Sequence, residues 1–306
     1  MTRGRRQTGY ALLMVLLVLV IAVTSLAAIS RARSQAALRA RSLQTDLQFR
    51  WGAMTCSELI FADPAGVLRG GASSPAGADK PTARAARILS FDLSGLTFKL
   101  VLSDEACKIN PNFLMRTCGK DRSESLLQTA QAGLAQPLAV NLADLPDSRD
   151  LPPQLPGGYV SFDQVFAPHR PGELLDPSSP TGPTNCPAGR ITCWSGGVVN
   201  FRTADSNVLQ AALAAVDLTS RADSVAAFAA NNPNCTLDQL IAKLNLDDSQ
   251  AHRLRSALTD RSNCYSLWII AGNGAAGSGI GRKSYQLRIA RTGGAGPARQ
   301  EQIFQW

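Results

Sequence analysis

The sequence has few of the side chains that catalysis uses and none of the short motifs that mark common hydrolases. It contains two histidines, His169 and His252, among 306 residues. No Gly-x-Ser-x-Gly or His-Glu-x-x-His occurs, so neither a nucleophile elbow nor a zinc-protease helix is indicated. A serine or cysteine nucleophile needs a base, and both histidines lie in stretches typical of the surface, APHRPG and DDSQAHRLRS. We therefore expect a protein that is not an enzyme.

Signals for a bound cofactor or metal are equally scarce. No Cys-x-x-Cys is present, and two histidines among scattered cysteines argue against structural zinc. The stretch GNGAAG (272–277) matches a dinucleotide-binding pattern, but alternating residues follow it and no acid occurs from 278 to 300, where a ribose partner would lie. It is interpreted as a hairpin loop. Asp247 and Asp248 are interpreted as residues of a helix start. No cofactor is expected, and calcium is left open.

Basic residues exceed acidic ones, 31 to 23, and most of this excess lies beside one segment. An apolar run near the N-terminus is flanked by Arg3, Arg5, Arg6, Arg31, Arg33, Arg39 and Arg41. A nucleic-acid-binding domain would need its basic residues clustered on one face of its soluble part. No nucleic-acid partner is therefore expected.

The apolar run from Tyr10 to Ile29 is 20 residues long and is interrupted only by Thr24 and Ser25. At about 1.5 Å per residue, a helix of this length crosses a hydrocarbon core of about 30 Å. The run thus fits a membrane anchor. It also has the parts of a cleaved secretory signal, with arginines first, an apolar centre and small residues near Ala28.

The residues after the run favour an anchor over a cleaved signal. From Ser30 to Phe61 there is no proline and one glycine. Apolar residues recur there at helical steps of three and four, at Ala36, Leu43, Leu47, Trp51, Met54 and Ile60. Pro64 ends the pattern. We predict a single helix over 10–62, membrane-spanning over 10–29 and amphipathic beyond.

The N-terminal residues resemble a type IV prepilin leader. A short Arg-rich stretch ends in Gly9 and continues directly into Tyr10 and ALLMVLLVLVIAV. The resemblance implies that a membrane prepilin peptidase cuts between Gly9 and Tyr10 and methylates the new N-terminus. Pilins carry a glutamate at the fifth mature position, where this chain has Met14. The missing glutamate is characteristic of the K-type minor pseudopilins of type II secretion, the general secretion pathway protein K family.

Later segments resemble the same family in order and spacing, across almost the whole chain. They are LTFKLVLSDEACKINPN (96–112), VSFDQVFAP (160–168), VVNFRTADSNVLQAAL (198–213), LRSALTDRSNCYSLWIIAG (254–272), SYQLRIAR (284–291) and IFQW (303–306). Two residues depart from the family pattern: Gln164 stands in place of an acid and Arg202 in place of an asparagine.

The sequence predicts an α+β fold with a long N-terminal pilin helix, a small antiparallel sheet and a large helical domain inserted into the pilin-like domain. The predicted parts are a leader (1–9), the long helix (10–62), the first part of the pilin-like domain (63–106), the inserted helical domain (107–262) and the closing strands (263–306). Helices of the insertion are predicted at Glu124–Ala135, Asp205–Val216, Arg221–Ala230, Leu237–Leu244 and Ser249–Leu258. Strands are predicted within 88–106 and at Tyr265–Ala271, Tyr285–Ala290 and Gln302–Gln305.

Seven cysteines in a chain with an export signal favour disulfides over thiol chemistry. Aromatic residues make up only 6% of the chain, so cross-links are expected to help stabilise the head. The nearest pairs are Cys107 with Cys118, Cys186 with Cys193, and Cys235 with Cys264. The connectivity stays open, because six cysteines permit about 15 pairings. Cys56, on the long helix, is interpreted as a small buried apolar residue.

The expected function is that of a minor pseudopilin, anchored once in the bacterial inner membrane with its C-terminal head in the periplasm. The resemblance implies partners among the other minor pseudopilins, the prepilin peptidase and secreted proteins, and a place at the pseudopilus tip that helps start assembly for protein export. The alternative is an exported, disulfide-bonded periplasmic binding domain with a cleaved signal peptide. The mature N-terminus distinguishes the two: Tyr10 for the first, a residue near Ala28 for the second.

Overall fold

The computed structural model describes residues 7–70, 85–93, 96–144, 158–175, 185–273, 284–292 and 299–305. The chain forms two compact units, residues 1–51 and 52–306, and the boundary falls within the first helix. The helices are α1 (Gln7–Phe61), α2 (Pro64–Arg69), α3 (Pro111–Cys118), α4 (Lys120–Ala130), α5 (Pro171–Leu174), α6 (Pro187–Arg190), α7 (Ser206–Ala215), α8 (Ala222–Asn231), α9 (Leu237–Leu244) and α10 (Asp248–Ala257). The strands are β1 (Ala86–Leu93), β2 (Leu96–Asp104), β3 (Val199–Asn200), β4 (Leu258–Thr259), β5 (Cys264–Asn273), β6 (Ser284–Arg291) and β7 (Arg299–Gln305).

The first unit is the long N-terminal part of α1, and the predicted unbroken helix is confirmed. Its residues from Tyr10 to Ile29 are all exposed, and the segment is long and apolar enough to cross a membrane. The Thr24 hydroxyl donates to the carbonyl of Val20, 2.9 Å away, so a polar side chain in this segment finds its partner within the helix. Exposed apolar side chains on a helix with satisfied backbone groups suit a lipid environment.

The second unit is built on a five-stranded antiparallel sheet in the order β1-β2-β5-β6-β7. The pairing of β2 with β5 joins Leu96 to Asn273 and Asp104 to Tyr265. Every described helix after α2 lies in the chain between these two neighbouring strands. The predicted α+β fold, with a helical insertion in a small antiparallel sheet, is confirmed.

One face of the sheet packs against the last turns of α1. Phe98, on β2, has no exposed surface, and a Cβ on Gly52 would overlap its ring. On the same face, the buried Arg288 of β6 donates from Nη1 to Ser57 Oγ of α1 at 2.7 Å. The close approach of Gly52 to Phe98 and the hydrogen bond from Arg288 to Ser57 both hold the helix against the sheet.

The opposite face of the sheet shares a hydrophobic core with the insertion. Val101 and Trp268, neighbours across β2 and β5, belong to the same buried cluster as the inserted helices. The Trp268 ring stacks on Phe162, with centroids 6.4 Å apart, and Phe162 meets Trp194 edge-on at 4.9 Å. Because both faces are covered, β2 is apolar without alternation from Leu100 to Leu102.

Several insertion helices begin and end close to their predicted positions. Helix α9 spans Leu237–Leu244 as predicted, because Thr236 caps its start in a capping box. The helix predicted at Asp205–Val216 is α7, and Asp205 caps its start by accepting from the backbone N–H of Asn207. The prediction of a helix at 124–135 is wrong at both ends: α4 occupies Lys120–Ala130, and the chain turns afterwards through Gly133, at φ +77°.

Replacing Gly52 with alanine should destabilise the second unit. The new Cβ would lie 2.9 Å from Phe98 Cε1 and Cε2, and overpacking of this kind costs about 1–3 kcal/mol. The higher helix propensity of alanine offsets about 1 kcal/mol of this cost. We expect the free energy of unfolding to fall by up to about 2 kcal/mol, measured by urea unfolding followed by tryptophan fluorescence.

Gly196→Ala is the matched control, because Gly196 is exposed and a Cβ there would meet no atom within 4 Å. Equal stability of Gly52→Ala and Gly196→Ala would contradict the close approach of α1 to Phe98.

Candidate functional site

The predicted processing site lies at the start of α1. Gly9 and Tyr10 are both within the helix, which begins at Gln7, and the Tyr10 side chain is exposed. Met14 follows one turn later and is also exposed. No charged residue occurs from Tyr10 to Ile29, so this stretch presents only apolar and hydroxyl side chains. The roles assigned to these three residues stay predictions.

A row of exposed apolar residues continues along the first unit beyond the membrane-length segment. Leu43, Leu47 and Trp51 are spaced four residues apart, which places them on one face of the helix. Their exposed fractions are 70%, 56% and 60%. An apolar row of this kind on a helix is suited to packing against another helix.

The predicted disulfides are not supported. All seven cysteines lie in the described part of the chain, and the structure joins no two of them by a disulfide. Four of the six candidates donate their S–H to backbone carbonyls: Cys107 to Asp104 O, Cys118 to Leu114 O, Cys193 to Ser161 O and Cys264 to Trp194 O. The correction extends to Cys186 and Cys235, since their proposed partners are Cys193 and Cys264. Burial raises the pKa of four of these thiols, those of Cys107, Cys193, Cys235 and Cys264, and that of Cys264 rises to about 12.

Cys56 is buried on α1, as predicted. Burial raises the pKa of its thiol, and the positive charge of Arg288 opposes the rise. It therefore behaves as a small apolar residue of the helix–sheet contact.

Sequence reasoning missed a polar cluster at the point where the insertion leaves and rejoins the sheet. Asp104 ends β2 and is 2% exposed. Its Oδ1 accepts from the backbone N–H of Ala106 at 2.9 Å, and its Oδ2 accepts from the hydroxyls of Thr203 and Ser262. Burial raises the Asp104 pKa from 3.8 to about 6, against the lowering effect of these hydrogen bonds. One carboxylate thus links the start of the insertion to a segment 158 residues later.

A second buried carboxylate lies beside the first. Glu105 Oε1 accepts from Lys108 Nζ and from Ser266 Oγ on β5, and all three residues are at most 1% exposed. Among the described residues, Glu105 Oε2 has no hydrogen-bond partner. In the sequence, the stretch SDEACK places two acids before a lysine, which is a weak signal for this cluster. The residues on distant segments that complete the cluster cannot be identified from the sequence.

The other candidate residues do not form a reaction centre in the described segments. Asp247 is the N-cap of α10, accepting from the Gln250 N–H, and Asp248 lies in the first turn, as interpreted. Among the residues that the structure describes, no three His, Cys, Asp or Glu side chains are grouped for a metal. His252 is exposed. The stretch at 272–277 lies largely outside the described residues.

His169 differs from the expectation of a surface residue. Its side chain is only 4% exposed, because it packs edge-on against Phe166. Its Nδ1 lies 3.0 Å from Ala167 O, and its Nε2 lies 3.6 Å from Asp163. The ring is held by its own loop.

The Asp104 carboxylate predicts a pH dependence of stability. The pKa of Asp104 is higher in the folded state than in the unfolded state, so the folded state binds this proton more tightly. The protonated side chain therefore stabilises the fold fully below pH 4, and this contribution to the free energy of unfolding is lost as pH rises to about 6. The difference between 3.8 and about 6 corresponds to about 3 kcal/mol at most. Asp104→Asn should remove this contribution, so that the difference in unfolding free energy between variant and parent changes between pH 4 and 6.5.

Asp238→Asn provides the comparison, since Asp238 is an exposed carboxylate paired with Arg255. If the unfolding free energies of both variants change with pH as that of the parent chain does, Asp104 does not titrate as described.

Comparison with protein-family models and with curated proteins finds no match. Among solved structures, the chain is similar to one chain in the crystal structure of the GspK-GspI-GspJ complex from the enterotoxigenic Escherichia coli type 2 secretion system. The TM-score is 0.49 and the sequence identity 15%, with 88% of this chain and 99% of that chain covered. The likeness is weak, and the functional argument therefore rests on the residues of this chain.

Proposed function

We propose that this chain is a minor pseudopilin of a type II secretion system, anchored in the inner membrane by α1 with its head in the periplasm. The observation that carries the proposal is the exposed, uncharged helical segment that begins at Tyr10, directly after Gly9 and an Arg-rich stretch. In a secretory signal the apolar segment would be removed near Ala28. Here the same helix continues without a break to Phe61, where its last turns hold the sheet.

Other minor pseudopilins are the proposed partners, through the row formed by Leu43, Leu47 and Trp51 and through the head. Helices associate through apolar faces left uncovered by their own domain. The similar solved structure is itself an assembly of GspK, GspI and GspJ. The prepilin peptidase is proposed to cleave after Gly9 and methylate Tyr10. Secreted proteins are further candidate partners, and a structural role without catalysis fits the scarcity of histidine.

The place of the subunit in the pseudopilus is inferred from Met14. A carboxylate in a hydrocarbon core costs at least about 2.5 kcal/mol, so a pilin glutamate there needs a partner. The family resemblance implies that this partner is the N-terminal amine of the neighbouring subunit one step nearer the tip. A subunit with methionine has no carboxylate to offer a neighbour beyond it, yet its own Tyr10 amine can meet the glutamate of the subunit below. We infer that the chain caps the tip and helps start assembly.

Processing supplies the first test. The mature protein should begin at Tyr10 with a methylated amine, and Gly9→Val should leave the precursor uncut, because the peptidase site accepts only a small residue before the cut. Intact mass spectrometry of membrane fractions measures both. A mature N-terminus near Ala28 would instead support the exported binding domain with a cleaved signal peptide, and loss of nine residues from Gly9→Val would exclude the prepilin interpretation.

Position in the filament supplies the second test. Immunogold labelling of pseudopili should mark one end, at about one copy per filament, whereas regular labelling along the shaft would refute a tip position. A matched pair of variants at Met14 sharpens the result. At the tip, Met14→Glu leaves a carboxylate without a partner in the membrane and should reduce incorporation, while Met14→Leu should not. Within a shaft, Met14→Glu would find an amine and be incorporated normally.

A further inference from the structure

A cavity of about 350 Å³ lies in the second unit, where four segments meet. These are α2, the end of β2, the turn after β3 and the loop between β4 and β5. The volume is at the lower end of small-molecule sites, about 300–1,000 Å³. Three arginines from three of these segments line it: Arg69, Arg202 and Arg261. The proposed function gives none of them a role.

Arg202 is fixed in place by the insertion. Its Nε donates to Pro233 O at 2.7 Å, its Nη1 to Asp260 O at 3.4 Å and its Nη2 to Asn234 Oδ1 at 3.2 Å. A guanidinium has five N–H donors, so two remain after these three bonds. An arginine that is already held in place and keeps free N–H donors is preorganised to bind an anion, because its side chain loses little conformational freedom on binding.

Arg69 and Arg261 are less engaged than Arg202. Arg69 Nε donates to Ala65 O within α2, at 3.3 Å, and this bond uses one of its donors. The Arg261 side chain is 90% exposed, and its Nε is 3.9 Å from Asp260 Oδ1, beyond hydrogen-bond distance. Both guanidinium groups therefore keep donors for a ligand.

The two acids at the cavity already have donors from the chain itself. Asp104 accepts from Thr203, Ser262 and the Ala106 N–H, and Asp260 Oδ2 accepts from the Leu237 N–H at 3.3 Å. Their charges are partly balanced by these hydrogen bonds. The three guanidinium groups exceed the two carboxylates by one positive charge, so an anion of single charge would complete the site.

A polar inner wall accompanies the arginines. The Tyr265 hydroxyl donates to Ser262 O at 3.1 Å, and Asn200 Nδ2 donates to Ser262 Oγ at 2.7 Å. Burial raises the Tyr265 pKa to about 12, and the nearby Arg69 charge opposes the rise, so the hydroxyl stays neutral beside the guanidinium. The wall thus offers neutral hydrogen-bonding groups to the uncharged part of a ligand.

We propose that this cavity is a carboxylate-binding site, lined by the exposed Arg69 and Arg261 and by the fixed, half-buried Arg202. A carboxylate matches the two parallel donors of a guanidinium, and its single charge equals the excess at the site. The carboxylate belongs to a free organic acid or to the C-terminus of a peptide. The inference goes beyond the proposed function, since a chain cleaved near Ala28 would keep every residue of the site.

Isothermal titration calorimetry on the full chain in detergent tests the proposal. The probes are N-acetyl-Gly-Ser-Gly with a free C-terminal carboxylate, the same peptide as its C-terminal amide, acetate and inorganic phosphate. The free-acid peptide should bind saturably, and the amide at least about tenfold more weakly, because a charge-assisted hydrogen bond is lost. Peptide binding tighter than acetate identifies a chain terminus as the ligand, and equal binding identifies a free organic acid.

Variants place the binding at this cavity. Arg69→Gln and Arg261→Gln should each lower the affinity for the free-acid peptide by about tenfold. Arg255→Gln, an exposed arginine of α10 paired with Asp238, should leave the affinity unchanged. The comparison of acid with amide uses the unaltered chain and so needs no variant to fold.

Three results would overturn the proposal. They are an absence of saturable binding by both the peptide acid and acetate, equal binding of acid and amide, and tighter binding of phosphate than of any carboxylate. Arginine variants that bind as the parent chain does would also reject this cavity as the site. None of these outcomes depends on whether the chain is cut after Gly9.

Discussion

The ring of Phe98 lies fully buried beneath the backbone of α1 at Gly52, and this contact determines how the second unit is built. A glycine with no Cβ lets the helix come close enough to cover the sheet without a gap. With that face closed by the helix, the opposite face is left for the insertion. Strand β2 is buried on both faces where it crosses the middle of the sheet, so it needs apolar side chains on both, which Leu100, Val101 and Leu102 supply in succession.

Local signals in the sequence were sufficient for most of the elements. Helix α9 begins and ends where it is predicted, and the capping box of Thr236 and Gln239 explains its sharp start. The closing strands β5, β6 and β7 lie where segments that resemble the family's closing strands predict them. Helix α4 was misplaced because no side chain caps its start after Gly119, so the sequence carries no strong signal there. Local patterns predict elements well when their ends are marked by side-chain chemistry.

Long-range arrangement was not predictable in the same way. The Asp104 cluster depends on Thr203 and Ser262 reaching β2 from 99 and 158 residues away. The cysteine pairs failed for a related reason: closeness in sequence favoured Cys107 with Cys118, but each thiol hydrogen-bonds to a carbonyl of its own helical turn. The cavity arginines likewise converge only in the folded chain. The fold class was accessible from the sequence, and the polar sites were not.

The hydrophobic core shared by the sheet and the insertion affects how the second unit unfolds. The insertion leaves the sheet at Asp104 and returns at Tyr265, and these two residues are paired neighbours. Connectivity alone would therefore allow the insertion to unfold while the sheet stayed folded. Energetically it is not detachable, because Trp268 and Val101 are covered only while Phe162 and its neighbours are in place. Melting of the inserted helices would expose Val101, Trp268 and the apolar sheet residues around them to water. Sheet and insertion therefore form one cooperative folding block, and partial opening that spares the strands is disfavoured.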